Sequence, residues 1–234
     1  MPIHLKIKPQ NLSPTVLLSG DPGRTKMVAE KFLTATKMIN DFRGLLAYTG
    51  KYENVPVSVV TTGMGCPSAA IVIEELVNLG AKILIRIGTC GAVQKRIKPA
   101  DLIIPNSAVP LVGLLKNYHL LTKITKPNNS ITRKLTEKTI ESGIIYWVGP
   151  ICTSDAFYQE KKEAKEWEDK DILAMEMECA GLFALAKLRK VKAGAILTAT
   201  GNILYGQQVM ETKEIKKSIS IMCKIALETI ISFR

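Results

Sequence analysis

The amino-acid sequence predicts an α/β fold in which helices flank one largely buried sheet. Three observations predict it. Short apolar runs of strand length alternate with helix-period segments along the chain. Those runs are apolar at consecutive positions, as in strands covered on both faces. Several end in glycine punctuation directly before a helical pattern. With 234 residues the chain suffices for one sizeable core, so a single domain over 1–234 is expected.

The first strand is "TVLLS" (15–19), followed by the turn "GDPG" and a helical pattern that Arg24 opens, with Met27, Val28, Lys31 and Phe32 at helical spacing. "VSVVT" (57–61) is the next strand. The helix "PSAAIVIEELVNLG" (67–80) begins with Pro67 at an N1-like position and stops at Gly80. "KILIRI" (82–87), "DLII" (101–104) and "AGAILTAT" (193–200) are strands, and "MECAGLFALAKLRK" (177–190) is a helix. The stretch "LTKITKPNNSITRK" (121–134) is the most loop-like. In "ETKEIKKSISIMCKIALETIIS" (211–232), Ile215, Ile219, Met222, Ile225, Ala226 and Ile230 form one apolar helical face.

Composition excludes several classes. Apolar residues make up 47%, far from a disordered chain. No run approaches the roughly 18 apolar residues of a membrane span, and "MPIHLKIKPQ" lacks the apolar stretch of a signal peptide, so a cytoplasmic protein without membrane contact is expected. A net charge of +11 raises nucleic acid as a partner. The basic residues, however, are scattered among acids, as in "EKKEAKEWEDK", with no basic-aromatic platform, so no nucleic-acid partner is expected. Such a surface still favours encounter with phosphate. Five cysteines without a CxxC pair, and only His4 and His119 as histidines, argue against a metal site and for reduced thiols in a core.

Four stretches carry polar chemistry. "VLLSGDPGRTK" (16–26) is open to two readings, a turn that ends a strand or an anion cradle of glycine amides completed by Arg24. "TTGMGCPS" (61–68) turns the start of a helix and Ser68 toward a ligand. "RIGTCGA" (86–92) places Arg86 within an apolar strand, where a buried guanidinium needs either a carboxylate or an anionic ligand. In "MEMECAG" (175–181) the i, i+2 spacing sends Glu176 and Glu178 to one face of a strand, a pair suited to gripping hydroxyls beside thioethers. Capping of the following helix is the alternative for one of them.

Together with "PIH", "DFRGLLAYTG" and "SDAFY", these stretches, taken in order, resemble the hexameric-type nucleoside phosphorylases, which include purine nucleoside, methylthioadenosine and uridine phosphorylases. The resemblance covers almost the whole chain and implies their fold, a central mixed sheet flanked by helices. It implies phosphate-dependent cleavage of an N-glycosidic bond, with inorganic phosphate as co-substrate and no metal or organic cofactor. Gly20, Arg24, Arg86 and Thr89 are similar to the family's phosphate site. Arg43 resembles the arginine lent across a dimer interface, and His4 the neighbour's residue at the ribose 5′ hydroxyl. Glu178 resembles the carboxylate that accepts the 2′ and 3′ hydroxyls, with Met64 and Met177 as the ribose floor. Phe157 resembles the ring packed on the base, with Cys90, Gly91, Met175 and Glu176 around it. Dimers with shared sites, assembled into a homohexamer, follow from the resemblance.

The chain departs from the family at the leaving base. Members that accept adenine nucleosides carry an acidic Asp after the strand matched by "AGAILTATGN"; here Gly201, or Thr200 with a one-residue shift, stands in its place. Ile215 stands near where a supporting arginine is expected. Asn202 remains as an amide able to pair with a lactam, so the catalytic set expected is Arg24, Arg86 and Asn202. "QEKKEAKEWEDKD" supplies no arginine for the uracil site of a uridine-type enzyme. These features favour 6-oxopurine nucleosides, with uridine as the alternative.

Overall fold

The computed structural model describes residues 2–208 and 212–233. In chain order the elements are β1 (Thr15–Ser19), α1 (Pro22–Phe32), β2 (Thr34–Asn40), β3 (Ala47–Tyr52), β4 (Val55–Thr61), α2 (Cys66–Asn78), β5 (Ile83–Ala92) and β6 (Leu102–Leu111). There follow α3 (Leu114–Asn117), α4 (Asn129–Ser142), β7 (Tyr146–Ser154), α5 (Glu160–Asp169), β8 (Ala174–Glu176), α6 (Cys179–Leu188), β9 (Lys192–Asn202), β10 (Gln207–Gln208) and α7 (Lys213–Ile231). Glu211, the first residue of the last expected helix, lies outside the described residues.

The strands form one mixed sheet in the order β10-β9-β6-β7-β8-β5-β1-β4-β3-β2. A further parallel pairing of β9 with β5 closes β5, β9, β6, β7 and β8 on themselves. Helices cover both faces, which is why the central runs are apolar throughout. Leu84, Cys90 and Ala92 of β5 pack with α2 and α6, whereas Ile83, Ile85 and Ile87 pack with α1, α4 and α7. A smaller cluster joins Ala164 and Trp167 of α5 to Cys152, Met175 and Ile203.

The expected strands and helices stand where their apolar runs lie, with three corrections. "RIGTCGA" continues β5 rather than breaking it, because Thr89 and Gly91 pair with Thr198 and Gly201 of β9. The second half of the loop-like stretch is the start of α4, since the Asn128 side chain accepts from the amides of Ser130 and Ile131 and caps the helix. Glu176 and Glu178 do not share a strand face: Glu176 ends β8, and Glu178 is the N-cap residue of α6. The edge strand β2 and the strands β7 and β8 have no clear apolar signature, Gly149 and Pro150 interrupting β7.

All five cysteines are buried and free. Burial pushes the Cys152 and Cys223 thiols up to about 12, so they pack as small apolar groups. Among the described residues no helix is long and apolar enough to cross a membrane, and no three His, Cys, Asp or Glu side chains gather as a metal site requires.

Candidate active site

Strand alternation decides where Arg86 points. It follows Leu84 by two residues, so its side chain leaves β5 on the face that α2 and α6 cover. Both helices begin beside it. The guanidinium is 5% exposed, and its Nε donates to Glu176 Oε2 at 3.2 Å while its Nη2 pairs with Glu178. Nη1 is buried and has no hydrogen-bond partner among the described residues. Burial penalises this cation, and the charges of Glu178 and Glu176 more than offset the penalty, so its pKa lies above the ordinary value.

The carboxylate reading of Arg86 therefore holds, and it leaves one donor over. Two of its three nitrogens serve carboxylates, and the third is a desolvated donor, which costs about 1–3 kcal/mol while unpaired. Two glycines make room for it. A Cβ at Gly88 would stand 2.9 Å from Arg86 Cζ and 2.7 Å from Leu197 Cδ2, so the guanidinium lies flat against a strand that only glycine leaves bare. A Cβ at Gly20 would stand 3.2 Å from the Gly63 carbonyl and 3.8 Å from Nη1, which puts the end of β1 next to the spare donor.

The two glutamates have different jobs. Glu176 accepts from Arg86 Nε, from Thr153 Oγ1 at 2.5 Å and from the amides of Glu178 and Cys179 at 2.9 Å. A carboxylate has about four lone-pair sites, and these contacts occupy them. Glu176 thus caps α6 and pins Arg86, which corrects its expected role at the base. Among the described residues Glu178 accepts only from Gly65 N and Arg86, leaving lone pairs on both oxygens. Burial raises its pKa despite the Arg86 charge. Gly65, at φ 84°, turns the chain so that its amide faces this carboxylate.

Arg24 arrives from α1 and donates through Nη1 to the Ile87 carbonyl at 3.2 Å. Burial lowers its pKa, and the Arg86 charge works in the same direction, so two partly desolvated guanidiniums bear on one region. The opening turn behaves otherwise than its cradle reading. The amides of Gly23 and Arg24 are spent on the Asp21 carboxylate, which caps α1. Gly20 and Arg24 remain beside Arg86, whereas Gly23 belongs to the turn.

Farther along β5 lie Thr89, Cys90 and Gly91, with Met175 opposite Gly91 on β8 and Gly201 opposite it on β9. Cys90 and Met175 are buried, and Thr89, Gly91 and Thr200 are partly accessible. Phe157 is half exposed and meets Tyr158 edge to face at 5.3 Å, so it forms a rim rather than a core contact. Met64 is exposed and Met177 half-buried.

Asn202 is corrected. Its amide donates to the carbonyls of Gln94 and Ile97 at 3.0 and 3.4 Å, and its oxygen accepts from the amides of Leu204 and Tyr205. Fully committed at 2% exposure, it holds the turn after β9 and has nothing left for a base.

His4 and Arg43 stand apart from this cluster. The Glu75 carboxylate of α2 accepts from the His4 Nδ1 at 3.0 Å and from the amides of Ile3, His4 and Leu5, which fixes the N-terminal segment. Burial alone would raise the Glu75 pKa, but these donors bring it below the ordinary value. Arg43 is exposed on a short turn with φ 60°. Among the described residues neither makes an ion pair with Glu176 or Glu178.

Sequence reasoning missed the parts played by Gly88, Gly65 and Thr153. The first had a signal, since glycine two residues after a strand arginine leaves the same face bare; the others depend on tertiary contacts.

Comparison with known proteins bears on the whole chain. Residues 14–232 match the family model described as "Phosphorylase superfamily". A purine nucleoside phosphorylase DeoD-type of Thermoanaerobacter sp. (strain X514) is 39% identical over 231 residues, covering 97% of this chain and 99% of the relative. Purine nucleoside phosphorylase from Toxoplasma gondii, solved in complex with immucillin-H, superposes with a TM-score of 0.93 at 28% identity, covering 99% of this chain and 96% of the other. Uridine phosphorylase from Vibrio fischeri superposes with a TM-score of 0.92 at 26% identity, covering 99% and 97%. With a fold, a near-complete family match and a buried arginine cluster all in agreement, the chain belongs to the phosphorylase superfamily.

Proposed function

We propose that this protein is a purine nucleoside phosphorylase, cleaving the N-glycosidic bond of 6-oxopurine ribonucleosides with phosphate to give free base and ribose 1-phosphate. The carrying observation is Arg86: a buried guanidinium anchored on two carboxylates, with one donor unpaired beside Gly20. Its partner requirements fit a phosphate oxygen, and Arg24 adds a second cation. Thr89, three residues beyond Arg86 on β5, completes the phosphate set that the family resemblance implies.

Bond cleavage builds positive charge on the sugar and negative charge on the base. Phosphate held by Arg24 and Arg86 lies against the anomeric carbon, so a bimolecular attack becomes a positioned one. A phosphate oxygen bonds to C1′ as the C1′–N9 electron pair leaves with the base. The free lone pairs of Glu178 take the 2′ and 3′ hydroxyls, and Met64 and Met177 floor the ribose. Cys90, Gly91, Met175, Thr200, Gly201 and Phe157 surround the base. Inorganic phosphate is the co-substrate, and neither a metal nor an organic cofactor takes part.

His4 and Arg43 complete a neighbour's site in a dimer closed by two-fold symmetry, three such dimers making a hexamer. Both are held outside their own cluster, and Ile3 and Phe42 beside them are exposed apolar side chains. The protein works in the cytoplasm, without nucleic-acid or membrane partners.

Initial rates on inosine, guanosine, adenosine, methylthioadenosine and uridine in phosphate test the base assignment. Inosine and guanosine are expected to lead; faster cleavage of uridine would replace the purine reading by the uridine one. Gly88→Ala tests the phosphate end. Its new methyl displaces the guanidinium, so kcat/KM is expected to fall about 100-fold with the phosphate KM raised. Unchanged kinetics in that variant would show that the flat seat of Arg86 is irrelevant to turnover.

A further inference from the structure

The base end of this site lacks an obvious acid. Thr200 Oγ1 donates to the Cys90 carbonyl at 3.4 Å, Gly201 has no side chain, and Asn202 is committed to backbone. One buried carboxyl nearby has an oxygen with no hydrogen-bond partner among the described residues. Glu160 opens α5, is 6% exposed, and keeps its Oε1 buried without a hydrogen bond from any described residue.

Helix geometry places it. α5 buries Glu160, Ala164 and Trp167, which at i, i+4 and i+7 form one face. Ala164 and Trp167 pack with Cys152 and Met175, so Glu160 lies one turn nearer Phe157 on the same face. The titratable groups that bear on it are Glu163 of its own helix, Glu176 of β8, and the thiols of Cys152 on β7 and Cys90 on β5. All are acids, so none offsets its charge. Burial, then Glu176 and Glu163, push the carboxyl up to about 7.

Such a group weakens the fold. The folded carboxyl keeps its proton up to about 7, whereas an unfolded one loses it near 4.5, so between these values the native state binds more protons and stability falls as pH rises. A glutamine would avoid that loss. A buried carboxyl with one oxygen unpartnered, at the edge of a base site, is better explained by chemistry than by folding.

We infer that Glu160 is the acid of the base end, its carboxyl O–H meeting a ring nitrogen of the purine and giving up its proton as the glycosidic bond breaks. This rests on the nucleoside cleavage proposed above. The C1′–N9 electron pair passes to the base, the carboxyl proton moves to the ring nitrogen, and phosphate bonds to C1′. Glu160 is left as a carboxylate and regains a proton from water once the base departs.

The test is Glu160→Gln in the full chain, assayed across pH with inosine and with 7-methylguanosine, whose alkylated base leaves neutral without a proton. The wild type is expected to lose inosine turnover on the alkaline side with a midpoint at about 7. The variant is expected to be about 100-fold slower on inosine, to lack that limb, and to cleave 7-methylguanosine like the wild type. It is also expected to melt above the wild type on the alkaline side, which shows that it folds. Equal loss on both substrates, or an unchanged inosine profile, would overturn the role of Glu160 while nucleoside cleavage stands. A wild type that neither cleaves a nucleoside nor binds hypoxanthine in calorimetry would overturn both.

Discussion

Replacing Arg86 with lysine is expected to lower kcat/KM for inosine on the order of 1,000-fold and to raise the phosphate KM, because an ammonium cannot serve two carboxylates and a phosphate in fixed directions. The guanidinium places Nε toward Glu176 and Nη2 toward Glu178, and leaves Nη1 for the proposed phosphate. Arg86→Leu is expected to destabilise the fold by about 3–5 kcal/mol, since it leaves buried carboxylates without their counter-ion. Denaturant unfolding measures that loss. Full phosphate affinity in a folded lysine variant would mean that Arg24 alone holds the anion.

Glu178→Gln is expected to act on the sugar. Glu178 has lone pairs free on both oxygens after taking Gly65 N and Arg86. Two hydroxyls bonded to a charged acceptor contribute about 1.5–3 kcal/mol each, so kcat/KM for inosine is expected to fall at least about 100-fold. With 2′,3′-dideoxyinosine the wild type and the variant are expected to be alike, because the interaction removed is then already absent. An equal loss on both substrates would assign Glu178 to holding Arg86 rather than ribose.

Much of this was legible in the sequence where a local rule governs it. The strand "TVLLS" and the apolar face of α7 follow from side-chain period, and the oddity of an arginine in "ILIRI" marked a buried charge held by two carboxylates. Less legible was anything decided by hydrogen bonds between distant segments. Asn202 reads as a free amide until its turn is folded around it, and Glu176 and Glu178 read as one strand face until the α6 amides claim Glu176. Asn128 reads as loop until its side chain caps α4. Glu160, inside a run of charges that reads as a solvated helix face, is buried because α5 turns that one position inward with Ala164 and Trp167.

The central claim is that the arginine cluster holds phosphate as the attacking group. Phosphorus NMR of the wild-type enzyme incubated with inosine and inorganic phosphate follows it directly. The account predicts ribose 1-phosphate formed in step with hypoxanthine, and no hypoxanthine when phosphate is left out. Hypoxanthine released at the same rate without phosphate, with free ribose as the sugar product, would contradict it and make water the nucleophile.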